Sequence, residues 1–219
     1  MGGNIQKSKA FRIPAVDGKN LSLDSPITRR VIDADALARA KRARRLGLYS
    51  IVHDCENELV NFDDHLTPGA VACALSHHAA LRKVASDPAA DWGLILEDDV
   101  SLVVPDVDRS IATILEQLPD HWSAVFLGYH NKYGCPHRRA VNSSYTRSEE
   151  EEAEPEPVFE IHDHNWGLYA WMVKKEAAQT LVDELFPISS QVDYAISKFL
   201  ITRFLGEQDS QESLYLVFG

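Results

Sequence analysis

The chain is short of several things. In 219 residues it has three cysteines, Cys55, Cys73 and Cys135, with no C-x-x-C pair and no even-numbered framework. That usage neither requires an oxidising compartment nor supports a structural zinc site. Cys135-Pro136-His137 lacks the spacing partners of such a site and reads as structural. Positive charge is also scarce: 22 Lys and Arg face 33 Asp and Glu, a formal net charge of -11. Nucleic-acid affinity comes from dense Lys and Arg, so no nucleic-acid partner is expected. No apolar run approaches the roughly 18 residues that cross a bilayer, so no transmembrane segment is expected. The opening MGGNIQKSKAF has neither the apolar core of a signal peptide nor the Ser or Thr that supports myristoylation.

What is present is an ordinary globular balance, 45% hydrophobic and 25% charged, at a length suited to one domain. The first thirty residues carry few periodic signals, and Asp17-Gly18 reads as a turn. DADALARAKRARRLG reads as a helix with Asp33 or Asp35 as cap and Gly47 as stop. Its basic end suits the helix dipole; a phosphate contact from Arg42, Arg44 or Arg45 is the rival reading. A second helix has Thr67 as cap, Pro68 in its first position and a stripe of Val71, Ala72, Leu75, His78 and Leu81. Further on come a strand ending at Leu96, a helix over about 107–118, and a strand from Ala124 to Tyr129. FEIHDHNWGLYAWMV then reads as strand, turn, strand. KKEAAQTLVDEL is a helix, Phe186-Pro187 a break, and the last helix is capped by Ser189 or Ser190. Helices alternating with short apolar strands predict an α/β fold with a mainly parallel sheet. The stretch 140–157, containing SEEEEAEPEP, is acidic and poor in large apolar groups; it reads as a mobile surface insertion.

One cluster carries chemistry. WGLILEDDVSLV sets Glu97, Asp98 and Asp99 directly after a strand-like apolar run. Ligands of open α/β sheets bind outside the carboxyl ends of strands, where these carboxylates would lie. Three adjacent carboxylates raise one another's pKa unless a cation or donor set compensates, and a divalent metal with oxygen ligands is the simplest compensator. The plainer alternative leaves two in solvent while one caps the next element.

The blocks FRIPAVDG, LTPGAVACALSHHAAL, LILEDDV, VFLGY, NWGLYAWMVKKEAAQTL and PISSQVD occur in order over about residues 11–219. In these the chain resembles family 25 glycosyltransferases, which include lipooligosaccharide galactosyltransferases and collagen galactosyltransferase domains. The resemblance implies a GT-A fold, a Rossmann-like sheet whose acidic motif holds Mn²⁺ against the diphosphate of a UDP-sugar. Asp99 is then the first choice as metal ligand, with Glu97 beside it, and Glu97 and Asp98 facing sugar or ribose hydroxyls. A cation there stabilises the charge on the departing diphosphate, and a hydroxyl acceptor needs a base. Asp193 is the candidate base or donor contact; its rival role is a carboxylate held by a helix dipole. His164, in IHDHNWG with His162, is a candidate late metal ligand, or an ordinary surface histidine. Asp17, Gly18, Ser76, His77 and Trp166 are expected near the donor, with core packing and hydrogen bonding as the alternative for Ser76-His77. Trp166, Tyr169 and Trp171 either stack on a sugar or fill the core, and Gly69 and Gly128 are expected to allow close backbone approach.

Members of the family carry an apolar strand and an Arg-bearing helix ahead of the AVDG turn. The chain is expected to lack that unit, and with it part of the uracil pocket. The expected activity is metal-dependent, inverting transfer of galactose or another hexose to a hydroxyl of a glycan, lipooligosaccharide or protein. A non-catalytic binding module of degenerate GT-A fold and a phosphohydrolase remain as rivals. Compartment depends on the branch: the cytoplasmic membrane face for a bacterial type, the endoplasmic reticulum lumen for a collagen type. The sequons at Asn20 and Asn142 lean toward the second.

Overall fold

A computed structural model describes residues 10–47, 66–101, 106–128, 138–140, 158–161, 167–205 and 213–217. In it the helices begin where a side chain can serve the first unpaired amide groups. Helix α1 (Pro26–Val31), which periodicity did not reveal, starts at Ser25, whose Oγ accepts from the Thr28 N–H. Helix α2 (Ala34–Arg45) is capped by Asp33, whose Oδ1 accepts from Ala36 N–H at 2.7 Å, and Gly47 follows it at φ 75°. Helix α3 (Pro68–Ser86) is capped by Thr67, with proline in its first turn as expected. Helix α4 (Val107–Gln117) takes Asp106 as cap. Helix α5 (Lys175–Thr180) runs on into a π-helical turn, Leu181–Leu185, before Phe186-Pro187. Helix α6 (Val192–Leu205) departs from expectation at its start: Gln191, not Ser189 or Ser190, supplies the carbonyl for the first helical bond, from Ala195 N–H.

The strands are β1 (Trp92–Leu96), β2 (Trp122–Phe126), β3 (Arg138–Ala140), β4 (Val158–Ile161), β5 (Ala170–Lys174) and β6 (Ser213–Val217). They form one sheet in the order β1-β5-β2-β6-β4-β3. The expected mainly parallel sheet is corrected here. Of the described strand pairs in this sheet only β2–β6 is parallel; β1–β5, β5–β2, β6–β4 and β4–β3 are antiparallel. The physical reason is that β5 inserts, reversed, between β1 and β2. Its apolar run misled because a strand covered on both faces is continuously apolar whatever its direction. β1 and β2 both oppose β5, so they still point the same way. Their carboxyl ends share one edge of the sheet.

The two faces bury different sets. Ile95, Ala124, Phe126, Trp171 and Val173 meet residues of α1, α2, α3, α5 and α6, while Val125, Val158 and Met172 meet Ile114 and Leu118 around α4. Neighbouring strand residues thus alternate between the two cores, as the pleat requires. One contact sets how α3 lies on the sheet. A Cβ on Gly93 would come within 2.4 Å of Val84 Cγ2, so the strand can touch the helix only because it carries glycine there. Gly18 does the same against backbone: a Cβ on it would meet Pro68 O at 2.8 Å and Gly69 Cα at 2.9 Å. Gly128, expected to serve a similar contact, has nothing within 4 Å of where its Cβ would be. The acidic stretch 141–157 lies outside the described residues.

Candidate active site

From the Gly93–Val84 contact, seven residues back along α3 is His77, about 10 Å away at 1.5 Å per residue. Four residues on along the strand direction is Glu97, about 13 Å away at 3.3 Å per residue. The two side chains therefore meet at the carboxyl end of β1. His77 Nε2 lies 3.1 Å from Glu97 Oε1. His77 is 5% exposed, so this bond sits at the margin of the core. The carboxylate run thus divides: Glu97 is half-buried and held by His77, whereas Asp98 and Asp99 are exposed in the turn that follows.

β5 brings the second half of the site to the same edge. Glu97 N–H donates to the Tyr169 carbonyl at 2.9 Å, continuing the β1–β5 ladder past Leu96. Gly167 stands at φ 95°, where a Cβ would also strike the Tyr169 ring at 2.5 Å, so glycine is required twice over. The Gly167 N–H donates to Asp193 Oδ2 at 3.1 Å, and Tyr194 N–H donates to Asp193 Oδ1 at 2.8 Å. Asp193, in the first turn of α6, is thereby brought to the residues that flank β5. Burial raises its carboxyl pKa above the ordinary value, offset in part by these amides and by His77. Tyr169 is exposed overall, and its partial burial, then the carboxylates of Glu97, Asp193 and Asp99, raises the phenol above its ordinary value. Three carboxylates from two distant stretches of chain therefore act on one tyrosine.

The other expected residues fall into place around this centre. Ser76 Oγ donates to the Ala72 carbonyl at 2.9 Å and accepts from Val16 N–H at 3.1 Å, which stitches the AVDG turn to α3 one position from His77. Asp17 is turned inward on its own loop: its carboxylate accepts from Lys19 N–H and from Asn20 Nδ2. Gly18 offers its carbonyl to Arg44, which also reaches Leu21 O at 2.7 Å; the basic end of α2 anchors this turn. Trp171 is core, fully buried and stacked on Phe126 at 6.0 Å. His164 and Trp166 lie outside the described residues. Cys73 is what sequence reasoning missed. It sits one turn before His77, and its ligand atom, that of His77 and that of Glu97 all lie within 4.8 Å of one another. The available signal was C-x-x-x-H on a helix, which puts both side chains on one face. Burial, then Glu97 and Asp193, push its thiol up to about 12.

The family model of glycosyltransferase family 25, described as an LPS biosynthesis protein, matches residues 15–196. The chain belongs to glycosyltransferase family 25. That match runs from the AVDG turn into the start of α6, so it contains Asp17, Ser76, His77, Glu97, Asp98, Asp99, Tyr169 and Asp193. A comparison with curated proteins found no match. As a family 25 glycosyltransferase the chain is a transferase whose partners are of the sugar and glycan kind. No helix among the described residues is long and apolar enough to cross a membrane.

Proposed function

We propose that this family 25 glycosyltransferase moves a hexose, galactose first, from a UDP-sugar to a hydroxyl of a glycan or protein acceptor, with inversion and with a divalent cation. The observation that carries the proposal is the carboxyl edge of β1, where Glu97 meets His77 and donates its N–H to the Tyr169 carbonyl, and where Asp193, accepting from the Gly167 N–H, is held to the start of β5. A GT-A arrangement of the nucleotide around that edge is part of the same proposal.

The residues present fit a hard cation. Asp98 and Asp99 are exposed carboxylates in a turn, the oxygen donors that Mn²⁺ or Mg²⁺ accepts while keeping several waters. Asp99 would hold the ion with Glu97 beside it, and His164 is the proposed third ligand. Such a cation, when bound, neutralises the charge that develops on the leaving diphosphate. His77 holds the Glu97 carboxylate in one orientation at the core margin, leaving its second oxygen for a sugar or ribose hydroxyl. Asp193 takes the proton of the attacking hydroxyl. Its raised pKa brings it toward the working range of a general base, and its two amide bonds fix the direction in which it faces. Tyr169, exposed beside it, offers a ring face and a hydroxyl to the sugar.

Calorimetry with UDP, with and without Mn²⁺, and donor turnover tests the proposal. Asp99→Ala is expected to abolish the Mn²⁺-dependent part of UDP binding. Asp193→Asn is expected to keep that binding and lose at least a hundredfold in kcat, the usual scale of general-base loss. UDP binding indifferent to Mn²⁺, or to Asp99→Ala, sinks the metal role. UDP binding without any transfer or donor hydrolysis would make the chain a binding module.

A further inference from the structure

We propose that Cys73, His77 and Glu97 form a second cation site, for a thiophilic divalent ion with Zn²⁺ foremost, on the core side of the carboxylate run. The i, i+4 spacing on α3 stacks the thiol and the imidazole on one helix face, and β1 delivers the carboxylate opposite them. Their ligand atoms lie within 4.8 Å of one another, and the His77–Glu97 pair is already at 3.1 Å. Tetrahedral zinc bonds of about 2.0–2.3 Å put neighbouring donors roughly 3.4–3.6 Å apart. The longest edge therefore has to close by little more than about an ångström, within reach of a side-chain adjustment at Cys73.

Two further observations bear on a ligand. Glu97 and Asp193 set negative charge near the Cys73 sulfur, although burial is the larger cause of its raised pKa, and a coordinated cation is what would deprotonate the thiol. Cys73 is half-buried rather than sealed, so an ion can reach it. Thiolate and imidazole prefer zinc over manganese and magnesium, which separates this site from the hard oxygen donors of Asp98 and Asp99. On binding, the thiol gives its proton to solvent and the ion replaces the direct His77–Glu97 hydrogen bond. The consequence is regulatory: zinc fastens Glu97 to α3 and withdraws it from the donor. The binding itself does not depend on the transferase reading, whereas the inhibition does.

Co²⁺ is the probe. Metal-free protein titrated with Co²⁺ is expected to develop a thiolate-to-cobalt charge-transfer band at one equivalent, displaced by Zn²⁺. Cys73→Ser is expected to lose the band and the Zn²⁺-induced rise in Tm, while Cys55→Ser with Cys135→Ser keeps both. His77→Gln and Glu97→Gln are each expected to weaken Co²⁺ binding at least tenfold. No band in the wild type, a band that survives Cys73→Ser, or a band lost in the Cys55 and Cys135 double variant overturns the site. Mn²⁺-dependent UDP binding is measured on the same preparations, and Cys73→Ser is expected to retain it. A missing cobalt band with intact UDP binding refutes the zinc site alone, and the reverse result refutes the donor site alone.

Discussion

Gly93→Ala is the sharpest probe of how the site is assembled, because one methyl group tests the contact that aligns α3 with β1. The added Cβ would lie 2.4 Å from Val84 Cγ2, 3.1 Å from Cγ1 and 3.3 Å from Cβ. Carbon atoms prefer about 3.5–4.0 Å, so the overlap with Cγ2 exceeds an ångström. Val84 cannot simply turn away, since valine in a helix is held largely to one rotamer and the rotation would present its other methyl. Strand and helix must therefore separate, and overpacking of this kind costs about 1–3 kcal/mol. For a chain of this size each kcal/mol shifts Tm by about 2–4 °C, so the loss should be roughly 2–12 °C. Urea denaturation of a double-mutant cycle isolates the cause. Val84→Ala alone removes two half-buried methyl groups, at about 0.8 kcal/mol each if fully buried. The double variant is expected to match Val84→Ala within about 0.5 kcal/mol, which makes the coupling nearly the whole cost of Gly93→Ala. A Gly93→Ala cost below about 0.5 kcal/mol, or a strictly additive cycle, would refute the reasoning.

Three other outcomes follow from the same geometry. Gly18→Ala drives a Cβ against Pro68 O and Gly69 Cα, backbone atoms that cannot rotate aside, so it should destabilise by about 1–3 kcal/mol, and no single side-chain truncation should rescue it. Thr67→Ala removes the cap of α3 and should cost about 0.5–2 kcal/mol in chemical denaturation, with Thr67→Ser recovering most of it. Because burial raises the Asp193 pKa, the folded state holds that proton more tightly than the unfolded chain. Its contribution to stability is full below the ordinary value of 3.8 and is lost as pH rises through the raised value. Urea midpoints across that window should fall more steeply with pH in the wild type than in Asp193→Asn; equal slopes would mean that Asp193 is not perturbed.

Local features were legible where one side chain and its near neighbours decide the outcome. Asp33, Thr67 and Pro68 mark helix starts because a cap needs only an oxygen two or three residues from an unpaired amide. Ser25-Pro26 carries the same signal for α1, but six residues give too little periodicity to support it. The start of α6 was misplaced by one or two residues, since Gln191 caps it through its carbonyl, a role every residue type can fill. Trp171 and Tyr169, two residues apart on one aromatic run, could not be sorted from sequence. Trp171 belongs to the strand and stacks on Phe126 in the core, while Tyr169 stands one residue before it, at the exposed edge.

What the residues determined by themselves was the family, the caps of α2 and α3, and the placing of Glu97, Asp98 and Asp99 at a strand end, because each depends on order and short spacing along the chain. Strand direction, and the pairing of Glu97 with His77 and of Gly167 with Asp193, were decided only by the tertiary structure. Twenty and 26 residues separate those partners. They meet because a reversed β5 shares an edge with β1 and because Gly93 lets α3 lie down on the strand. Packing at that one contact divides the carboxylates, drawing Glu97 to the core and leaving Asp98 and Asp99 in water, a distinction no local property of three adjacent acids can express.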